Sequence, residues 1–133
     1  MDELTGRAAA LFSGDAYATK TTGAVLDEAR ENYARCHLVL GPQHKNANGQ
    51  VMGGAIFTLA DFAFAVAANG PGMETPTVTL SSQIQFLAPA RGALLTAETS
   101  CLKAGRRTCV FEILVSGEDG APVAKAVATG CRV

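Results

Sequence analysis

An excess of charge of either sign is missing from this chain. Eleven Lys and Arg stand against twelve Asp and Glu, for a formal net charge of −1. A dedicated nucleic-acid binder needs a basic face to replace counterions on phosphate, and this balance argues against one. Long hydrophobic runs are missing too. The most apolar stretch, residues 53–68, falls short of the roughly 20 apolar residues that span a bilayer. Met1-Asp2-Glu3-Leu4 lacks the basic start and apolar core of a signal peptide, so the expected compartment is the cytoplasm. Cys36, Cys101, Cys109 and Cys131 form no Cys-x-x-Cys pair, and no His clusters at metal-ligand spacing. No metal site and no cofactor are therefore expected, and the cysteines read as reduced, half-buried small apolar residues. No repeat and no linker is present, so residues 1–133 are expected to form one domain.

What is present suffices for a single core: 48% of the residues are hydrophobic. Leu4, Ala8, Leu11 and Phe12 fall at helical spacing within residues 3–13, and Ser13-Gly14-Asp15 ends that helix. Thr22 to Asp27 and Asn32 to Leu40 read as strands, with Tyr33 out of phase. Gly41 to Gly49 is a polar loop dense in breakers. A helix over 53–68 follows, ended by Asn69-Gly70-Pro71-Gly72. Beyond it the period becomes two. Val78, Leu80, Ser82, Ile84 and Phe86 are expected on one strand face, with Thr79, Ser81, Gln83 and Gln85 on the other. Pro89 to Gly92 turns the chain. Leu94–Lys103, Thr108–Ser116 and Pro122–Val133 complete the strands, with Glu118-Asp119-Gly120 as a hairpin turn. The order predicts an α+β domain, a curved antiparallel sheet around one long helix. Its edge strands would be covered by a second copy.

Asp61 is the only charged residue in the 53–68 helix, which is apolar nearly all round. Burying an unpaired carboxylate is costly, and acids held this way cluster at functional sites. Two bland readings stand beside that one: a solvated groove, or a core acid tied to backbone N–H groups.

Asn46, Gly49, Met52, Gly53, Gly54 and Asp61 carry a spaced motif, Asn-x-x-Gly-x-x-x-Gly-Gly, with an acid seven residues after the second glycine. It resembles the hotdog-fold acyl-CoA thioesterases of the phenylacetic-acid-degradation type. Ile84 to Ala90, Gly105-Arg106-Arg107 and Asp119-Gly120 also match, so the resemblance spans roughly residues 15–133. One position departs: the family has His before the paired glycines, and this chain has Met52. A thioether donates no hydrogen bond.

The resemblance implies an acyl-CoA substrate and a homodimer, or a tetramer of two dimers. Gly53 starts the helix, where N–H groups lack intrahelical partners and glycine lets a substrate approach. Gly53 N–H is the expected oxyanion donor, assisted by Gly54. The resemblance assigns Asp61 as general base or direct nucleophile, and Asn46 to the carbonyl or attacking water. It puts Thr79 near the acid, while Arg106 and Arg107 could meet CoA phosphates. Each has a plainer reading: packing glycines, a turn asparagine, a strand-forming threonine, a solvated cationic turn. Phe57, Phe62 and Phe64 read first as core, and Met52 as core or acyl-pocket wall. Asp61 lies about two helical turns from Gly53, too far to serve the same carbonyl. The family dimer solves this by opposing one chain's acid to the other's helix start. Met52 motivates a runner-up, a catalytically weak acyl-CoA-binding module. A hydratase of enoyl thioesters would carry His beside the Asp, and neither His37 nor His44 adjoins Asp61.

Overall fold

The computed structural model describes residues 2–70 and 75–133. Pro71 and Gly72 lie outside the described residues. Helix α1 (Glu3–Phe12) starts at Asp2, whose Oδ1 accepts the Thr5 N–H at 2.8 Å. Such a cap satisfies a donor the helix itself leaves free. A π-helical turn, Tyr17–Thr22, comes next and was not expected. Its sequence, Tyr-Ala-Thr-Lys-Thr-Thr, carries no hydrophobic period. Gly23 closes it at φ 95°, with its N–H on the Ala18 carbonyl at 3.0 Å. Thr22 thus belongs to this turn and not to the first strand.

Strands β1 (Val25–Arg30) and β2 (Tyr33–Val39) form a hairpin, turned at Asn32 with φ 58°. Ala34, Cys36 and Leu38 point into the core. Tyr33 points outward as its phase predicts. Its hydroxyl bonds the Glu98 carboxylate, and Arg30 covers its ring at 4.3 Å.

Helix α2 (Gly53–Asn69) leads to β3 (Thr77–Phe86), β4 (Leu94–Ala104), β5 (Thr108–Ser116) and β6 (Pro122–Arg132). The six strands form one antiparallel sheet in the order β1-β2-β4-β5-β6-β3. The expected α+β architecture is therefore present: a curved sheet with α2 against its inner face. Residues 87–93 are more than a turn, because they carry the chain from the β3 edge back to β4. Phe64 meets Phe111 edge-on at 5.7 Å, and Phe62 meets Phe12 at 6.3 Å. Leu38, Leu59, Leu95 and Ile113 fill the layer between helix and sheet. Among the described residues, no helix is long and apolar enough to cross a membrane.

The cysteines divide by burial. Cys36 is in the core, where burial raises its thiol pKa, while Cys109 and Cys131 are half-buried. Cys101 is exposed, just before the bulge between Cys101 and Lys103 in β4.

The expected alternation of β3 is corrected by another bulge, between Thr79 and Ser81. Thr79 pairs with Gly130, whose side faces Phe64, so Thr79 shares the helix-facing side with Ser82, Ile84 and Phe86. Val78 is turned to the opposite face, beside Cys131. The two edges of the sheet differ. β1 is six residues long and carries Asp27, Glu28 and Arg30, charges that discourage strand addition. β3 is ten residues long with no charge, and Leu80 is 62% exposed. An edge of that composition is suited to pairing with another strand.

Candidate active site

Lys45 bridges to Val51, closing the loop before α2 into a tight hairpin. Asn46 is its organiser. Its Oδ1 accepts the N–H groups of Asn48 and Gln50 at 2.9 and 3.1 Å, and its carbonyl accepts Gly49 N–H at 3.0 Å. Gly49 takes φ 76°, a conformation few other residues adopt. The turn-forming reading of Asn46 therefore describes its oxygen. Its Nδ2 has no partner among the described residues and faces solvent.

Met52 is the last extended residue before α2, and its carbonyl accepts the N–H groups of Ala55 and Ile56. That leaves the N–H groups of Gly53 and Gly54 without partners among the described residues. Helix-start donors of this kind favour negative charge. A Cβ at Gly53 would lie 3.0 Å from Phe86 Cζ, so the Phe86 ring closes over this glycine. Gly54 faces open space. Gly53 borders a cleft of about 470 Å³ with Ile56, Phe86, Leu87, Pro89 and Ala90. Met52 is 46% exposed beside it, so it is not a core residue.

Asp61 opens onto a different cleft, of about 510 Å³, with Asp15, Tyr17, Phe57, Thr58 and Ala65 among its walls. The helix is not buried on most sides of this residue. Gly54, Phe57, Thr58, Asp61 and Ala65 lie along a face left open or half-open, while Leu59, Ala63 and Val66 take the core. Of the readings for Asp61, the groove is the one observed. Phe62 and Phe64 are core as expected, whereas Phe57 is half-buried in the cleft wall.

Asp61 lines this cleft with an exposed side chain; its partial desolvation there raises the pKa above the ordinary value, and the nearby Asp15 charge raises it further. If Asp61 is the base, kcat/KM should fall as pH drops through this raised pKa, because a base works only when ionised. Asp15→Asn should move that acid limb to lower pH, read from the pH profile of kcat/KM. The stability sign is opposite to that of a salt-bridged acid. With the folded pKa raised, the native state holds the proton more tightly, and stability is lost as pH rises through it.

Thr79 is exposed at its bulge. Arg106 and Arg107 are exposed in the β4–β5 turn. That turn lies at the end of the sheet where Thr77 pairs with Arg132, whereas Phe86 and Gly53 are at the other end. Nine strand steps, about 30 Å, separate the ends. One chain therefore does not bring together Asp61, Gly53 and the arginines. His37 Nδ1 is bound to Asp27 at 2.8 Å, and His44 is buried, so neither serves Asp61.

Sequence reasoning missed the cleft walls Asp15 and Tyr17. Asp15 was read only as part of a helix stop. It missed Phe86 as the cover on Gly53, a contact no local pattern encodes.

Comparison with known proteins gives a consistent result. The thioesterase superfamily profile matches residues 48–124. The acyl-coenzyme A thioesterase PaaI of Escherichia coli is 32% identical over 116 residues, 86% of this chain and 81% of that protein. The structure of E. coli PaaI, from the phenylacetic acid degradation operon, superposes with a TM-score of 0.88. It has 27% identity and covers 98% of this chain and 96% of that one. A Streptococcus mutans protein bound to acetyl CoA superposes at 0.76, with 25% identity, covering 83% and 88%. The chain belongs to the thioesterase superfamily, as a hotdog-fold thioester hydrolase of the PaaI-like type.

Proposed function

We propose that this protein hydrolyses acyl-CoA thioesters at a site shared by two copies of the chain. One observation carries the reading. The unpartnered Gly53 N–H and the partly desolvated Asp61 lie in two separate open clefts, about 12 Å apart along one helix. Each cleft holds half of what thioester hydrolysis needs. The uncharged β3 edge, with Leu80 and Phe86 exposed, supports a second copy beside it. The complementary half then comes from that copy.

In this reading the thioester carbonyl accepts from Gly53 N–H, with Gly54 and the free Nδ2 of Asn46 beside it. Asp61 of the other copy removes a proton from water, whose oxygen adds to the carbonyl carbon. The oxyanion collapses, the carbon–sulfur bond breaks, and CoA leaves as thiolate and takes a proton. Direct attack by the Asp61 carboxylate instead gives an anhydride, which water then cleaves. Thr79 lies on the helix-facing side of β3 and reaches the shared site from the edge. The test is CoA release from a panel of short, medium and aryl acyl-CoAs. Tight binding without CoA release would replace this reading with the binding-module reading that Met52 favours.

Arg106 and Arg107 take the CoA phosphates across the pair, since each chain's own turn is remote from its own Gly53. Replacing both with Ala should raise KM for acyl-CoA about tenfold or more, the scale of hydrogen bonds to charged groups. KM for the matching N-acetylcysteamine thioester, which has no phosphates, should stay unchanged.

A further inference from the structure

His44 is 4% exposed, the one buried side chain in the 41–50 loop. Its Nδ1 accepts the Gly41 N–H at 3.0 Å, and its Nε2 lies 2.6 Å from the Thr22 carbonyl. Only the neutral tautomer with hydrogen on Nε2 satisfies both contacts. The His44 carbonyl in turn accepts the Met52 N–H at 2.7 Å. Each partner leads to one half-site. Thr22 ends the π-helical turn that begins at Tyr17, on the wall of the Asp61 cleft. Met52 precedes α2 and fixes the direction of the free Gly53 N–H.

The geometry points to His44 as a positioning residue, which we infer holds both half-sites of one chain in register. It touches neither the thioester nor Asp61. It acts through Thr22 on the cleft wall and through Met52 on the helix start. The assignment rests on the proposed function, because it supposes that both clefts serve one reaction. A buried group whose donor and acceptor are each matched resists displacement, since breaking either contact strands a buried polar atom.

Two variants divide the ring's contacts. In His44→Asn, Oδ1 takes the place of Nδ1 and keeps the Gly41 contact, but nothing reaches Thr22. In His44→Gln, the amide nitrogen takes the place of Nε2 and keeps Thr22. His44→Asn should lower kcat about tenfold to a hundredfold, as small displacements of a site do, and His44→Gln should restore most of it. Hydrogen exchange gives a readout independent of activity. The amides of Gly23 and Ala24, both bonded to Ala18 O, should exchange faster in His44→Asn and stay protected in His44→Gln. Core amides of β5 should be unchanged in both. Equal losses of kcat in the two variants, faster exchange spread to β5, or wild-type behaviour of His44→Asn would overturn the assignment. If the wild type releases no CoA, the proposed function fails, and the exchange comparison still decides the role of His44.

Discussion

Asp61→Asn is expected to lower kcat for acyl-CoA hydrolysis by about 10²–10⁴-fold, the range a positioned base contributes, with KM little changed. The amide has nearly the shape of the acid, so the cleft walls need not move. It can neither take a proton from water nor attack a carbonyl. Undiminished turnover in this variant would sink the assignment. The same substitution should raise Tm at neutral pH. Asp61 is held above its ordinary pKa by desolvation and by Asp15, so its ionised form opposes folding. The gain should vanish below the ordinary carboxylate pKa, where Asp61 is protonated in both folded and unfolded chains. Loss of activity together with gain of stability is a signature that a merely structural acid would not give. Single turnover in ¹⁸O-labelled water then tests for the anhydride, because label found in Asp61 itself requires that intermediate.

Most of the frame that presents Asp61 was legible in the sequence. Periodicity located α2 and the four strands after it, because apolar spacing reflects the faces they bury. The motif from Asn46 to Asp61 located the helix start and the acid of the proposed site, and its spacing placed them about two turns apart on one helix. Three features escaped, each for a physical reason. The π-helical turn at Tyr17–Thr22 is held by Gly23 and by His44 from twenty-two residues away, so its own letters show no period. The bulge at Thr79–Ser81 moves Thr79 to the helix side, and an inserted residue in a strand leaves no mark on a period-two count. The openness of α2 around Asp61 was hidden by alanines, which are equally at home in a core and on a half-covered face. Two of the three, the π-helical turn and the half-open face of α2, supply walls of the Asp61 cleft.

Gly53→Pro should reduce kcat about 10²–10³-fold beyond Gly53→Ala, the usual effect of losing one oxyanion donor. The pair separates what happens at the N–H from the cost of a Cβ. Proline suits the first position of a helix; it removes an N–H that the helix does not use and sets Cδ where that hydrogen pointed. Alanine keeps the N–H but brings a Cβ to 3.0 Å from Phe86 Cζ, so it measures the steric cost alone. Phe86 is 55% exposed and can swing away, which should keep that cost small. The two inactive variants together then test the shared site. Mixing unfolded Asp61→Asn and Gly53→Pro chains in equal amounts and refolding them gives half mixed dimers. If Asp61 of one chain serves Gly53 of the other, each mixed dimer gathers both lesions into one site and leaves the second intact. Activity should return to about a quarter of wild type, since half of the dimers carry one working site of two. If both groups acted within one chain, every site would keep one lesion and mixing would restore nothing. Asp61 and Gly53 face different clefts along one helix, and the first outcome is expected on that ground.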